Sequence, residues 1–448
     1  MGGSGVLEVL AGVLSVVPGL VAEGVDEAGL VDALAAAECA KNALAGFQAR
    51  AAVALDVVVR RRHRAQGVQG AGVGAGVHAQ VALARAESPH AGHRLLGMAR
   101  AVVNEMPCTH RALSLGLLSE WRAMLVVRET ACLDVSERGR VDGLLLGDPS
   151  VLEGVGTRAL VARARRLAYA ASPRAVVDRA RRAVADRRVS LRPAPDTMGI
   201  LTGVLPVAQG VSVLKALTVE ADRLVGAGDG RSRGQIMADT LVGRVTGREV
   251  AAAVPVQVQV VMTDRALFQG DAEPAYLPGY GIVPAQVARD LVRQATLTPP
   301  TTPAGGGDAA AGGGGAGGGE VGVLEGKSLV WVRRLYTAPG TGELVGMDSR
   351  ARFFPAGLGR FIATRDQSCG TPWCDAPVRH NDHVLAWAAG GRTSAANAKA
   401  RCADCNYSKE APGWSAATVA GGRHTTRTTT PTGHTYRSQS PPLPGDTS

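Results

Sequence analysis

Aromatic side chains are scarce in this chain: Phe, Tyr and Trp make up 4% of its 448 residues. A core cannot rest on large rings here, so it has to be assembled from Ala, Val and Leu, which the 46% hydrophobic content supplies. Cysteine is sparse as well, seven in all, and Cys39, Cys108 and Cys132 lie singly in apolar helical sequence. No basic stretch opens the chain, and the early apolar run is broken by Glu8 and Pro18, so no secretory signal peptide is expected. The expected setting is the cytoplasm, with thiols reduced and no membrane partner. The glycine run between 305 and 319 lacks the Gly-Lys-Ser/Thr that a phosphate-binding loop needs between strand and helix. No internal repeat is evident, so a repeat architecture is not expected.

What the chain has is length, charge and one dense cluster of chemistry. Its 448 residues suffice for two or three domains. The net charge is +10, and residues 321–448 hold 15 Lys and Arg against 9 Asp and Glu, a surplus of six in under a third of the chain. A basic end of this kind points to phosphate-backbone partners.

Composition marks one boundary. Residues 296–327, rich in Pro and then Gly, offer almost nothing to bury and read as a flexible linker. Ahead of it, residues 1–295 read as a mainly helical domain with a minor β element. Helices are expected near 27–66, 93–104, 111–126, 157–170, 174–187 and 206–225. The first should bury a stripe of Leu30, Leu34, Ala37, Ala40 and Leu44. Alternation over Pro255 to Met262 marks the best strand before the linker. Residues 328–414 form a small α+β domain, and residues 415–448, rich in Ser, Thr, Pro, Gly and Arg, are expected to be disordered.

The cluster lies in that small domain. Cys369 and Cys374, then Cys402 and Cys405, form two pairs, each spaced to close a tight knuckle whose thiolates face one tetrahedral zinc. Two disulfides, or four unrelated buried thiols, are the alternatives; spacing and compartment favour zinc. Four thiolates leave no open position for water, so such a zinc is structural and catalysis needs a second ion. Between the pairs, Asp382 offers a carboxylate oxygen, and just after Cys405, Asn406 offers an amide oxygen, donors that suit Mg2+ or Mn2+. His383 then remains for general-base work.

The stretch Asp382-His383, Asn397, Cys402-x-x-Cys405-Asn406 resembles the HNH endonuclease motif in its zinc-bearing form. That resemblance implies a ββα-metal finger: the histidine on a strand, the middle asparagine in the connecting loop, the last residue on a short helix. It implies that His383 activates water, that Asp382 and Asn406 hold the catalytic cation, and that Asn397 pins the loop orienting His383. The third motif position is often His, so Asn406 departs from the pattern, and an amide is a weaker ligand than imidazole for a transition metal. Lys409 and Arg392 are the candidates for DNA backbone contacts. Upstream, Arg333-Arg334-Leu335, Pro339-Gly-Thr-Gly342, Asp348 to Pro355 and Arg365-Asp366 resemble the lead-in of a large HNH family of high-GC Gram-positive bacteria. Asp229 to Asp239 and Gly279-Tyr280-Gly281 resemble landmarks in that family's N-terminal helical domain, whose function is unknown.

The function this implies is metal-dependent hydrolysis of DNA phosphodiesters, leaving 5′-phosphate and 3′-hydroxyl ends. Cutting both strands with a single site would call for a homodimer. A zinc-finger-type nucleic-acid-binding protein that no longer cleaves is the second reading, and a structural or regulatory role for residues 1–295, with the nuclease as a fused effector, is a third, compatible with the first. The basic runs Arg60 to Arg64 and Arg163 to Arg182 are read as solvated helix surface rather than DNA contacts.

Overall fold

The computed structural model describes residues 3–20, 23–247, 260–297, 348–349, 353–420 and 423–443. Most of the linker lies outside them, as do residues 255–259 of the expected strand; Val261 from its end bridges Tyr276. The described chain is mainly helical with small sheets. It divides into two compact units, residues 1–81 with 91–179 and residues 82–90 with 180–448. The main parting falls at 179/180.

In the first unit, α1 (Gly3–Val16) precedes the long α2 (Glu27–Ala65), which starts where the Asp26 carboxylate accepts from Gly29 N at 2.9 Å. The expected stripe on α2 is not its buried face: Leu34 is 72% exposed. Asn42, Ala45, Gly46, Ala49, Asp56, Val59 and His63 face inward instead. Small residues won because they admit a close neighbour: a Cβ on Gly46 would meet Ser114 Oγ at 2.9 Å. Among the described residues, α2 is the one helix long and apolar enough to cross a membrane. Its buried Asp56 pairs with Arg60 within the helix at 2.9 Å and with Arg100 at 2.8 Å. Burial alone would raise that carboxyl's pKa, but hydrogen bonds from Arg100 and Arg60 hold it below the ordinary value.

After α3 (Val77–Ala84) and α4 (Pro89–Glu105), the helix expected over 111–126 is two helices, α5 (Pro107–Ser114) and α6 (Glu120–Thr130). Gly116, at φ +79°, turns the chain and Ser119 caps the restart. The following α7 (Val135–Leu146) begins in a capping box of Asp134 and Glu137, and α8 (Thr157–Ala171) and α9 (Pro173–Ala183) close the unit. Buried Asp142 of α7 satisfies the first turn of α5 by accepting from Cys108 N at 2.6 Å and Thr109 N at 2.9 Å. The core is Leu, Val, Ala and Met, as the shortage of aromatics requires.

The second unit opens with the hairpin β1 (Arg188–Pro193) and β2 (Gly199–Val204), then α10 (Val207–Gly226) and α11 (Arg233–Thr246). A second hairpin, β3 (Ala275–Leu277) with β4 (Gly281–Val283), leads into α12 (Ala285–Leu297). Farther on, β5 (Asp348–Ser349), α13 (Ala356–Asp366), β6 (His380–His383), β7 (Thr393–Ser394), β8 (Ala398–Arg401) and α14 (Ala403–Ser408) carry the cysteines and their neighbours. The chain beyond is a three-stranded antiparallel meander of β9 (Ser415–Val419), β10 (Thr425–Thr429) and β11 (Thr435–Gln439). This corrects the expectation of a disordered tail. Its Thr-rich strands alternate, with Thr426 and Thr428 buried and Arg427 exposed between them, and the buried Thr426 hydroxyl accepts from Lys399, a partner that composition cannot reveal.

Candidate metal centre and active site

The first knuckle follows α13 and the second opens α14. Cys369 N donates to Ala376 O at 2.8 Å and Cys374 N to Thr371 O at 3.1 Å, closing the first loop. The turn is tight enough that Trp373 and Asp375 take left-handed backbone, at φ +58° and +46°. Cys402 caps α14, its sulfur accepting from Cys405 N at 3.4 Å. All four sulfurs are buried, unbridged and within 4.8 Å of one another, with 3.7 Å from Cys374 to Cys402 and 3.6 Å from Cys374 to Cys405. A disulfide would need about 2.05 Å. Tetrahedral zinc with Zn–S near 2.3 Å sets sulfurs about 3.8 Å apart. The group can therefore hold a metal ion such as zinc. Thiol hydrogen bonds from Cys374, Cys402 and Cys405 already hold the Cys369 thiol well below its usual pKa.

Next to this cluster, β6 and β8 pair antiparallel, with Asp382 opposite Lys399 and His383 opposite Ala398, and α14 packs against β6. His383 is buried, its Nε2 2.9 Å from the Thr393 hydroxyl and its ring 4.6 Å from Phe354. Asn397 clamps the loop after it: Oδ1 accepts from Leu385 N at 2.8 Å, while Nδ2 donates to Leu385 O at 3.1 Å and Arg392 O at 2.9 Å. In the same loop a Cβ on Gly391 would collide with Leu385 O, so only glycine fits there.

Asp382 does not stand open to solvent. Its Oδ2 lies 3.1 Å from Arg401 Nε and 2.7 Å from Lys409 Nζ, ion-pair distances without good hydrogen-bond direction. Lys409 also reaches Glu410 at 3.1 Å and donates to His383 O at 3.1 Å. The Lys409 ammonium is thus engaged within the site. Arg392 is exposed and contributes its carbonyl to the Asn397 clamp. Asn406 sits on α14, and its Oδ1 is buried without a hydrogen-bond partner. A buried amide oxygen without a partner calls for an explanation, a bound ion or water among them. Asp382 and Asn406 thus fit a hard divalent cation by donor type, provided the cation takes over the charge-balancing role of Lys409.

Several residues position the site in ways the sequence did not reveal, Arg365 and Asp366 having stood there only as part of the family-like lead-in. Arg365 and Asp366, both buried, pair at 2.7 Å; Arg365 donates to Ala395 O and Ala398 O, each at 2.6 Å, and Asp366 accepts from Ala400 N at 2.7 Å. Together they pin β8. Lys399 is 1% exposed and donates to the hydroxyls of Thr426 and Ser438. Burial pushes its pKa down to about 7, against the opposing pull of Asp366 and Cys369. Ser438 also donates to Gly370 O, and Ser440 donates to Asp366 at 2.6 Å. The meander is therefore fastened to the knuckle and to β8.

Compared with protein-family models, with curated proteins and with solved structures, the chain matches none.

Proposed function

We propose that residues 353–443 form a zinc-supported nuclease site of the HNH type, hydrolysing DNA phosphodiesters. The observation that carries this reading is one hairpin that presents Asp382 and His383 on its first strand, has its loop clamped by Asn397, and leads into the four-cysteine cluster and Asn406. In this reading the zinc is structural and holds the two knuckles together. His383 takes a proton from the attacking water, with Thr393 fixing the rotation of its ring. Asp382 and Asn406 would hold Mg2+ or Mn2+, which supplies charge stabilisation for the phosphate and the departing oxygen. Arg401 lies beside Asp382, its Nε 3.1 Å from Oδ2, and offers the carboxylate a fixed positive neighbour.

The test is nicking of supercoiled plasmid by the purified chain with Mg2+, with Mn2+ and with EDTA. Nicking that requires the divalent ion supports the reading. DNA binding without nicking under any ion moves the chain to the second class, a finger that binds nucleic acid and no longer cleaves. That class is favoured by Asn406 standing where the motif more often has His.

A further inference from the structure

Among the described residues of the C-terminal meander, the outer face is basic and holds no Asp or Glu. Arg427 on β10 and Arg437 on β11 are direct cross-strand partners, so both guanidinium groups leave the sheet on the same side. Arg423 has the same parity one step ahead of β10 and reaches Gln439 Oε1 at 3.1 Å. Residues 415–443 contain no Asp or Glu. Like charges set directly opposite destabilise an antiparallel pair, and here nothing on the meander offsets them. Around them the face is made of short polar or small side chains, exposed Ser415, Ala417, Thr435 and Gln439. The opposite face is spent on the interior: Thr426 and Ser438 hold Lys399, and Tyr436 packs edge-on against Trp373.

The geometry points to this face as a docking surface for the phosphate backbone of duplex DNA, additional to the hairpin site and rigidly joined to it. It rests on the reading of DNA as the substrate. Guanidinium groups bind phosphate oxygens bidentately, and flanking Ser and Thr hydroxyls are ordinary donors to the backbone. A low-relief sheet lets that backbone approach both arginines at once. An anionic membrane is the poorer fit, because the exposed side chains of this face include no aromatic or long aliphatic group to insert into the acyl boundary.

The test is binding of a short blunt duplex, followed by fluorescence anisotropy over a salt series, for the full chain and its Arg427→Gln/Arg437→Gln variant. The variant should bind more weakly, and the slope of log K against log salt should become shallower by about 1.8, two phosphate contacts at about 0.9 each. Its thermal midpoint without DNA should be unchanged or higher, since a repulsive pair has gone. Equal affinity and slope in both proteins overturn the surface, and so does arginine-dependent binding to phosphatidylserine vesicles without binding to the duplex. Plasmid nicking, measured in parallel, separates the two proposals. Nicking with an unchanged salt slope removes this surface and leaves the nuclease, whereas arginine-dependent binding without nicking removes the nuclease and leaves the surface.

Discussion

At the residue scale the pivotal contact is Lys409 against Asp382, 2.7 Å apart. An ammonium and a divalent cation compete for one carboxylate, so Lys409→Met should bind Mn2+ more tightly than the parent chain by calorimetric titration. Weaker or unchanged binding would show that Asp382 is a structural anion only. Asn406→His should keep or raise nicking, most visibly with Mn2+ or Ni2+, because imidazole suits those ions better than an amide does; loss of nicking in a folded variant argues that the amide oxygen itself is needed. The four-cysteine cluster was legible because residue type and spacing alone announce ligand chemistry. Thr393 and Lys399 were not. Their roles depend on which way a short strand faces, and β8 is buried on both sides, Ala398 through Arg401, so alternation gave no clue that Lys399 points inward.

At the element scale, the loop between β6 and β7 is held by Asn397 and by the absence of a side chain at Gly391. Gly391→Ala must push Leu385 O aside, an overpacking cost of about 1–3 kcal/mol, and should lower the denaturation midpoint while cutting nicking more than DNA affinity. An alanine variant with wild-type midpoint and activity would mean that the loop is plastic. Helix existence was largely readable from apolar spacing, but which face of α2 is buried was not. Leucine periodicity marked Leu30, Leu34 and Leu44, whereas the packing face runs through Ala45, Gly46 and Ala49, where close approach outweighs hydrophobic bulk. The split between α5 and α6 was visible in principle at Gly116 and Ser119, a turn residue followed by a cap. The meander was missed because its composition is that of a linker, and its order comes from hydroxyls satisfied by Lys399, Gly370 and Asp366.

At the scale of the whole molecule, zinc and the meander should stand or fall together. Four thiolates around zinc carry two net negative charges, and Lys399 is the buried cation whose pKa already responds to Cys369. Lys399→Met should therefore surrender zinc to a chelator faster than the parent does. A chain ending at residue 414 strips Lys399 and Asp366 of the Thr426, Ser438 and Ser440 hydroxyls. It should lose zinc and protease resistance over 353–414, because unpaired buried charges are costly; full zinc content in that truncation would contradict a fastened meander. The most direct measurement is nicking of supercoiled plasmid in Mn2+ by the parent chain and by His383→Ala, with zinc content and DNA affinity determined on the same preparations. The parent should nick, and His383→Ala should lose about 10²–10⁴-fold in rate with zinc and affinity unchanged. Equal nicking by both proteins, or none by either, would contradict a hydrolytic site built on His383.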